Sequence, residues 1–195
     1  MPIFSSTIQD IVSNKMPAPY YRFGGSNKID TNILPKKGKK SFFMWINYET
    51  VSNGDYQLMG TQEGGAYIYL GITNGGNPYF YIGNDTGGIV SSYTFEANKW
   101  YHYGLVGDDS TYSLYVNGVV IQTNSYTHTN DSTVDFWIGL LNNGSSGAYG
   151  NECSISNAKY YNLALTATEV KELYSGASVP YKYKGASQTD IIDDG

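Results

Sequence analysis

Few residues in this chain have the type and spacing to do covalent chemistry. There are two histidines, His102 and His128, and one cysteine, Cys153, too few for a His/Cys metal cluster. Cys153 has no nucleophile signature beside it, and no G-x-S-x-G elbow is present. His102 follows Trp100 by two positions in an apolar run, which puts both on one strand face and predicts a packed, hydrogen-bonded histidine. His128 sits in the polar stretch YTHTND and is expected to be exposed. Glycoside hydrolysis would need two carboxylates across the scissile bond. Glu169 and Glu172 are close in sequence, but on a predicted helix they form a solvated face. Asp108-Asp109 falls where Asp favours a turn for local reasons. The expectation is a chain that is not an enzyme.

Noncovalent recognition fits the composition better. The 195 residues include 20 Tyr and 23 Gly, and only 15% are charged. Tyr offers a rigid, half-polar contact surface, and Asn, Ser and Gly offer adaptable hydrogen bonds. Sugars are held by aromatic faces with amides and carboxylates on their hydroxyls. Three loops carry both groups: EGGAYIY at 63–69, NGGNPYFYIGND at 74–85 and NNGSSGAYGN at 142–151. From them the candidate ligand-binding residues are Tyr67, Tyr79, Tyr81, Asn84, Asp85, Asn142, Asn143 and Tyr149. Trp45, Trp100 and Trp137 lie within strand-like runs and are expected in the core.

Short β-type runs must position these loops. Strands are predicted at 20–23, 28–33, 41–49, 56–61, 66–73, 79–82, 89–95, 100–106, 112–116, 119–123, 134–141 and 152–161, with Gly, Asn or Asp between most of them. This is the pattern of an all-β sandwich, and the intervening helices of a parallel sheet are missing. Asn117-Gly118 predicts a two-residue hairpin turn, with Leu114 and Val116 on one face and Tyr115 on the other. Thr166-Ala167-Thr168-Glu169 has the form of a capping box. It opens one helix whose face is Ala167, Val170, Leu173 and Tyr174, with Gly176 at its stop. Residues 1–19, ending MPAP, read as an N-terminal arm or attachment segment; residues 20–176 form the domain; residues 177–195 form a tail.

The charge balance limits the partners. Net charge is −5, and Arg22 is the only arginine. Nucleic-acid binding needs clustered cations. The one cluster, Lys36-Lys37-Gly38-Lys39-Lys40, reads as a solvated loop. No apolar run approaches a membrane span, and the N-terminus lacks the order of a secretory signal. A single Cys excludes an intrachain disulfide.

Six pieces in order resemble laminin G-like, concanavalin A-like lectin/glucanase domains. They are YRFGGSN at 21–27, SFFMWIN at 41–47, NKWYHY at 98–103, LYVNGV at 114–119, Ile138-Gly139, and ISNAKYYNLALTATE at 155–169. The resemblance implies a jelly-roll sandwich of two antiparallel sheets with one short C-terminal helix. It also implies binding of glycans or proteins, in some members with calcium. Hydrolases on this fold carry E-x-D-x-x-E on one strand, which is absent. Gly24 and Ser156 replace acids of the family motifs, weakening the case for calcium, to which Asp30, Asp85, Asp108 and Asp131 could contribute. No cofactor is therefore expected. The missing signal and disulfide, and a tail, VPYKYKGASQTDI, similar to phage fibre junctions, suggest a virion fibre of a bacterial virus. On that reading the partners are host cell-surface polysaccharide and, through the arm, other virion proteins, in a fibre that is commonly a homotrimer. A secreted protein, a structural virion decoration or assembly module, and a glycan-degrading enzyme are the alternatives.

Overall fold

A computed structural model describes residues 20–51, 56–63, 67–83, 89–126, 128, 130–144, 147–148, 150 and 152–175. The predicted arm, the tail, Gly176, and the candidates Asn84, Asp85 and Tyr149 lie outside the described residues.

The described residues form two packed sheets and one helix. The first sheet has the order β1 (Tyr21–Gly24), β14 (Glu152–Tyr161), β3 (Lys40–Tyr48), β8 (Trp100–Gly107), β9 (Thr111–Val116), β10 (Val119–Ser125). The second runs β13 (Gly147–Ala148), β12 (Leu141–Asn142), β4 (Tyr56–Thr61), β5 (Ile68–Ile72), β6 (Pro78–Ile82), β7 (Ile89–Val90). Two short strands, β2 (Ile29–Asp30) and β11 (Trp137–Ile138), attach beside β4. Pairings are antiparallel except β12 with β4.

Period-two alternation builds the core. Phe42, Met44, Ile46 and Tyr48 of β3 and Tyr101, Tyr103 and Leu105 of β8 meet Ile68, Leu70, Ile72 and Phe80 of the other sheet. Burying each such side chain contributes roughly 1.5–3 kcal/mol. Tyr103 also ties the layers: its hydroxyl donates to the carbonyls of Gly71, at 2.9 Å, and Tyr79, at 3.0 Å.

The local signals formed as expected. Asn117 and Gly118 take φ of 50° and 76°, the left-handed pair that a twisted two-residue hairpin needs. Leu114 and Val116 face the central core and Tyr115 the opposite side. In α1 (Ala167–Ser175), Glu169 Oε2 accepts from the Thr166 backbone N–H and hydroxyl, both at 2.7 Å, and the Glu169 N–H donates to Thr166 Oγ1.

Three expectations need correction. The strand predicted at 134–141 is broken into β11 and β12, because Gly139 adopts φ 92° and turns the chain. Ala167 is exposed, since the docked face of α1 is carried by Val170, Leu173 and Tyr174. Trp45 and Trp100 are buried as expected, on the outer side of the first sheet, but Trp137 is only half-buried.

Candidate functional site

The β5–β6 hairpin places tyrosines on the outer side of the second sheet. Its register sets Tyr69 opposite Tyr81 and Gly71 opposite Tyr79, while Ile68, Leu70, Phe80 and Ile82 point into the core. Tyr67 precedes β5 and joins the row. The Tyr69 and Tyr81 rings stack at 5.1 Å and 12°, Tyr67 meets Tyr81 at 5.7 Å, and Tyr69 meets Tyr79 edge-on at 6.1 Å. Leu141 of β12 packs against Tyr69 and Tyr79. This approach needs Gly60 between them on β4: a Cβ there would collide with Tyr69. Tyr69 and Tyr79 are buried, whereas Tyr67 and Tyr81 keep part of their rings accessible.

Two connections meet at the Tyr67–Tyr81 end. Thr61 pairs with Ile68, closing the β4–β5 connection. The Gly83 N–H donates to the Tyr67 carbonyl at 2.8 Å, and the Gln62 N–H to the Asn142 carbonyl at 2.7 Å. Asn142 shapes its own loop: its amide donates to the Asp135 carbonyl at 2.8 Å, and its Oδ1 accepts from the Gly144 N–H at 3.0 Å. Glu63 lies against Gly144, which has φ 82° and no room for a Cβ beside that carboxylate. Glu63 Oε2 is buried and without a hydrogen-bond partner.

The structure therefore brings Tyr67, Tyr79 and Tyr81 into one row, with Asn142 and Asn143 on the neighbouring turn. Asn142 is buried within its turn, so it holds the rim rather than presenting its amide. The Asn74–Asn77 turn joins β5 to β6 at the opposite end of the hairpin, away from Tyr81. Tyr69 completes the row and Glu63 lies against Gly144; neither was among the candidates, although both lie in the EGGAYIY loop. Strand alternation from Tyr67 would have found Tyr69. Nothing local marks Glu63, whose surroundings come from a turn some 80 residues on in sequence.

The remaining polar groups serve structure. His102 stacks on Phe43 at 5.2 Å and packs against Trp45 and Tyr174 beneath α1. Its Nδ1 has no partner, so the expected hydrogen-bonded ring is a packed one, and burial pushes its pKa down to about 3. His128 is buried, not exposed: its Nδ1 lies 3.2 Å from Lys40 Nζ. Burial and the Lys40 charge bring His128 down to about 4. Lys40 departs from the expected solvated loop; it is buried, which lowers it to about 8 despite the pull of Asp109 and Asp131. Asp108 accepts from the N–H groups of Ser110 and Thr111 and from the Thr111 hydroxyl, the turn role expected of it.

Among the described residues no group of three or more His, Cys, Asp or Glu could hold a metal ion. Asp30 accepts from the Asn32 N–H, and Asp131 holds the Lys37 N–H and pairs with Lys36. Asp85 lies outside the described residues. No described helix is long and apolar enough to cross a membrane.

Solved structures share this architecture. The chain is similar to a heptameric SAP-like pentraxin from Limulus polyphemus, with TM-score 0.64 and 16% identity over 80% of this chain and 81% of that one. A Trypanosoma rangeli sialidase in complex with sialic acid aligns at TM-score 0.59 and 20% identity, over 73% of this chain but 24% of the sialidase. The binding domain of botulinum neurotoxin serotype G aligns at TM-score 0.63 and 15% identity, over 84% of this chain and 44% of that one. At such identities the likeness concerns the fold. No curated protein sequence matches the chain. The sequence profile of the concanavalin A-like lectin/glucanases superfamily, laminin G type, matches residues 23–171. With six motif pieces in order, two antiparallel sheets and one capped helix all in agreement, the chain belongs to that superfamily.

Proposed function

We propose that this domain is a noncatalytic carbohydrate-recognition module whose ligand lies on the tyrosine row of β5 and β6. One observation carries the reading: Tyr67, Tyr69, Tyr79 and Tyr81 are gathered on the outward face of a rigid sheet, with two rings partly accessible. Aromatic faces pack on sugar C–H groups, and the rigid hairpin pre-pays the ordering cost that binding otherwise incurs. The family's description as lectins and glucanases, and the toxin binding domain among its structural neighbours, support a binding role. The carboxylates support a noncatalytic one, because Asp108 and Glu169 are committed to a turn and a cap.

The setting we propose is a fibre of a bacterial virus, with host surface polysaccharide as the ligand and residues 1–19 as the attachment to other virion proteins. The similarity of VPYKYKGASQTDI to phage fibre junctions supports it. Detection of the protein in purified particles by mass spectrometry is the expected outcome; its absence from them removes the virion setting and leaves the glycan reading standing. A printed array of bacterial surface polysaccharides tests the glycan reading itself. Binding that Tyr67→Ala and Tyr81→Ala abolish is expected. Release of reducing ends from any bound glycan would overturn the noncatalytic assignment. The burial of Tyr69, Tyr79 and Leu141 favours a second reading, an assembly module in which the row is only packing; retained adsorption in both tyrosine variants would support it.

A further inference from the structure

The two sheets end in edges of very different kinds. An open strand edge leaves a row of N–H and C=O groups ready to pair with another chain, and folded proteins blunt it by keeping it short or charged. Among the described residues β2, β7 and β13 are two residues long. β1 is four residues long and carries Arg22, which pairs with Glu49. β10 follows neither rule. It runs seven residues, Val119–Ser125, and among the described residues it has a strand partner, β9, on one side only. No Asp, Glu, Lys, Arg or Pro occurs from Ser110 to Asn130. Val119 and Val120 are 58% and 48% exposed. The β9–β10 ladder slips once, at Ile121, whose side chain packs against the core; Gln122–Ser125 pair regularly beyond it.

We infer that β10 is an interface for a second copy of this chain, the two strands pairing antiparallel about a two-fold axis. The partner must be as free of charge as the edge it meets, because a charge desolvated there would lack a counter-ion. A second copy meets that condition by identity, and its two-fold contact closes as a dimer instead of growing into a filament. Pairing joins two six-stranded sheets into one. The axis runs through that joined sheet, so both second sheets stand on the same side of it. Resting on the glycan reading above, the two tyrosine rows then face one polysaccharide together and gain avidity.

The test is sedimentation equilibrium of the full chain from about 1 to 100 μM, a range that covers weak and moderate association. The mass is expected to rise from 21.5 kDa to twice that value. Val120→Lys/Thr123→Lys places two charges at exposed positions of the edge and should weaken association at least tenfold. Mixing it with Val120→Glu/Thr123→Glu should restore pairing, which no misfolded variant would do. A wild-type chain that stays monomeric throughout overturns the inference; β10 amides protected from exchange at every dilution would then show that residues 177–195 cover the edge. A trimer overturns it too, because two-fold strand pairing cannot close on three copies. So does a dimer untouched by the lysine pair. All three results leave the glycan reading intact, since that stands on the array.

Discussion

The two sheets carry similar aromatic rows on their outer sides, and the rows have different fates. On the first sheet Phe43, Trp45 and His102 line up across β3 and β8, and α1 closes over them with Val170, Leu173 and Tyr174. On the second, Tyr67, Tyr69, Tyr79 and Tyr81 line up across β5 and β6, and Tyr67 and Tyr81 remain partly accessible. The strand physics is the same in both, since alternate side chains of neighbouring strands meet on one face. What differs is the cover. A helix supplied by the same chain turns one row into packing, while the other keeps rings that a ligand can reach. Aromatic content alone therefore does not separate the two rows; the proposed site rests on the aromatics left with accessible surface.

The largest expected effect belongs to the covered row. Leu173→Ala empties a buried position under α1 and should cost about 3 kcal/mol of unfolding free energy in urea titration, with glycan binding unchanged. Equal loss of binding would erase the distinction between the two faces.

Acid should find the covered face next. His102 has its folded pKa lowered to about 3 from an ordinary 6.5. Below pH 6.5 the unfolded chain therefore binds the proton first, and stability falls as pH drops from about 6.5 toward 3. The loss by pH 5 is about 2 kcal/mol. His102→Leu should remove about half of the acid loss over that segment, the rest staying with His128, which burial and Lys40 bring down to about 4. A profile unchanged by the substitution would mean that the ring is not held neutral by burial.

A smaller effect is expected where the helix begins. Glu169→Ala removes the reciprocal cap with Thr166 and should cost about 1 kcal/mol, read as a lowered melting temperature. A change within error would show that α1 is held by Val170 and Leu173 alone.

Much of this contrast could be read before any coordinates. Residues 56–61 and 152–161 form strands at their predicted bounds, Asn117-Gly118 turns as expected, and Thr166 and Glu169 cap the helix. Each of these signals is local, set within a few residues. Contacts distant in sequence were not legible. Lys40 looked solvated beside three other lysines, and His128 looked exposed in a polar loop. Yet the two residues, 88 positions apart, bury each other. The cover that α1 places over Trp45 and His102 comes from some 70 to 130 residues further along the chain, so no window around them could show it. The same holds for the site. Loop composition identified Tyr67, Tyr79 and Tyr81, although Tyr79 and Tyr81 lie on β6, whereas the seat of Glu63 on Gly144 arises from the meeting of two loops.

The smallest expected change in stability belongs to Tyr67 and Tyr81, the partly accessible members of the second row, and there it should accompany the largest change in function. The most direct measurement is titration of an array-positive bacterial polysaccharide against the wild-type chain and the Tyr67→Ala/Tyr81→Ala double variant, with urea unfolding of both. The two rings are only half-buried, so the unfolding free energy should fall by no more than about 1 kcal/mol. Affinity should drop at least tenfold, which corresponds to about 1.4 kcal/mol. A double variant that binds as tightly as wild type would contradict the account and make the tyrosine row a second packed face.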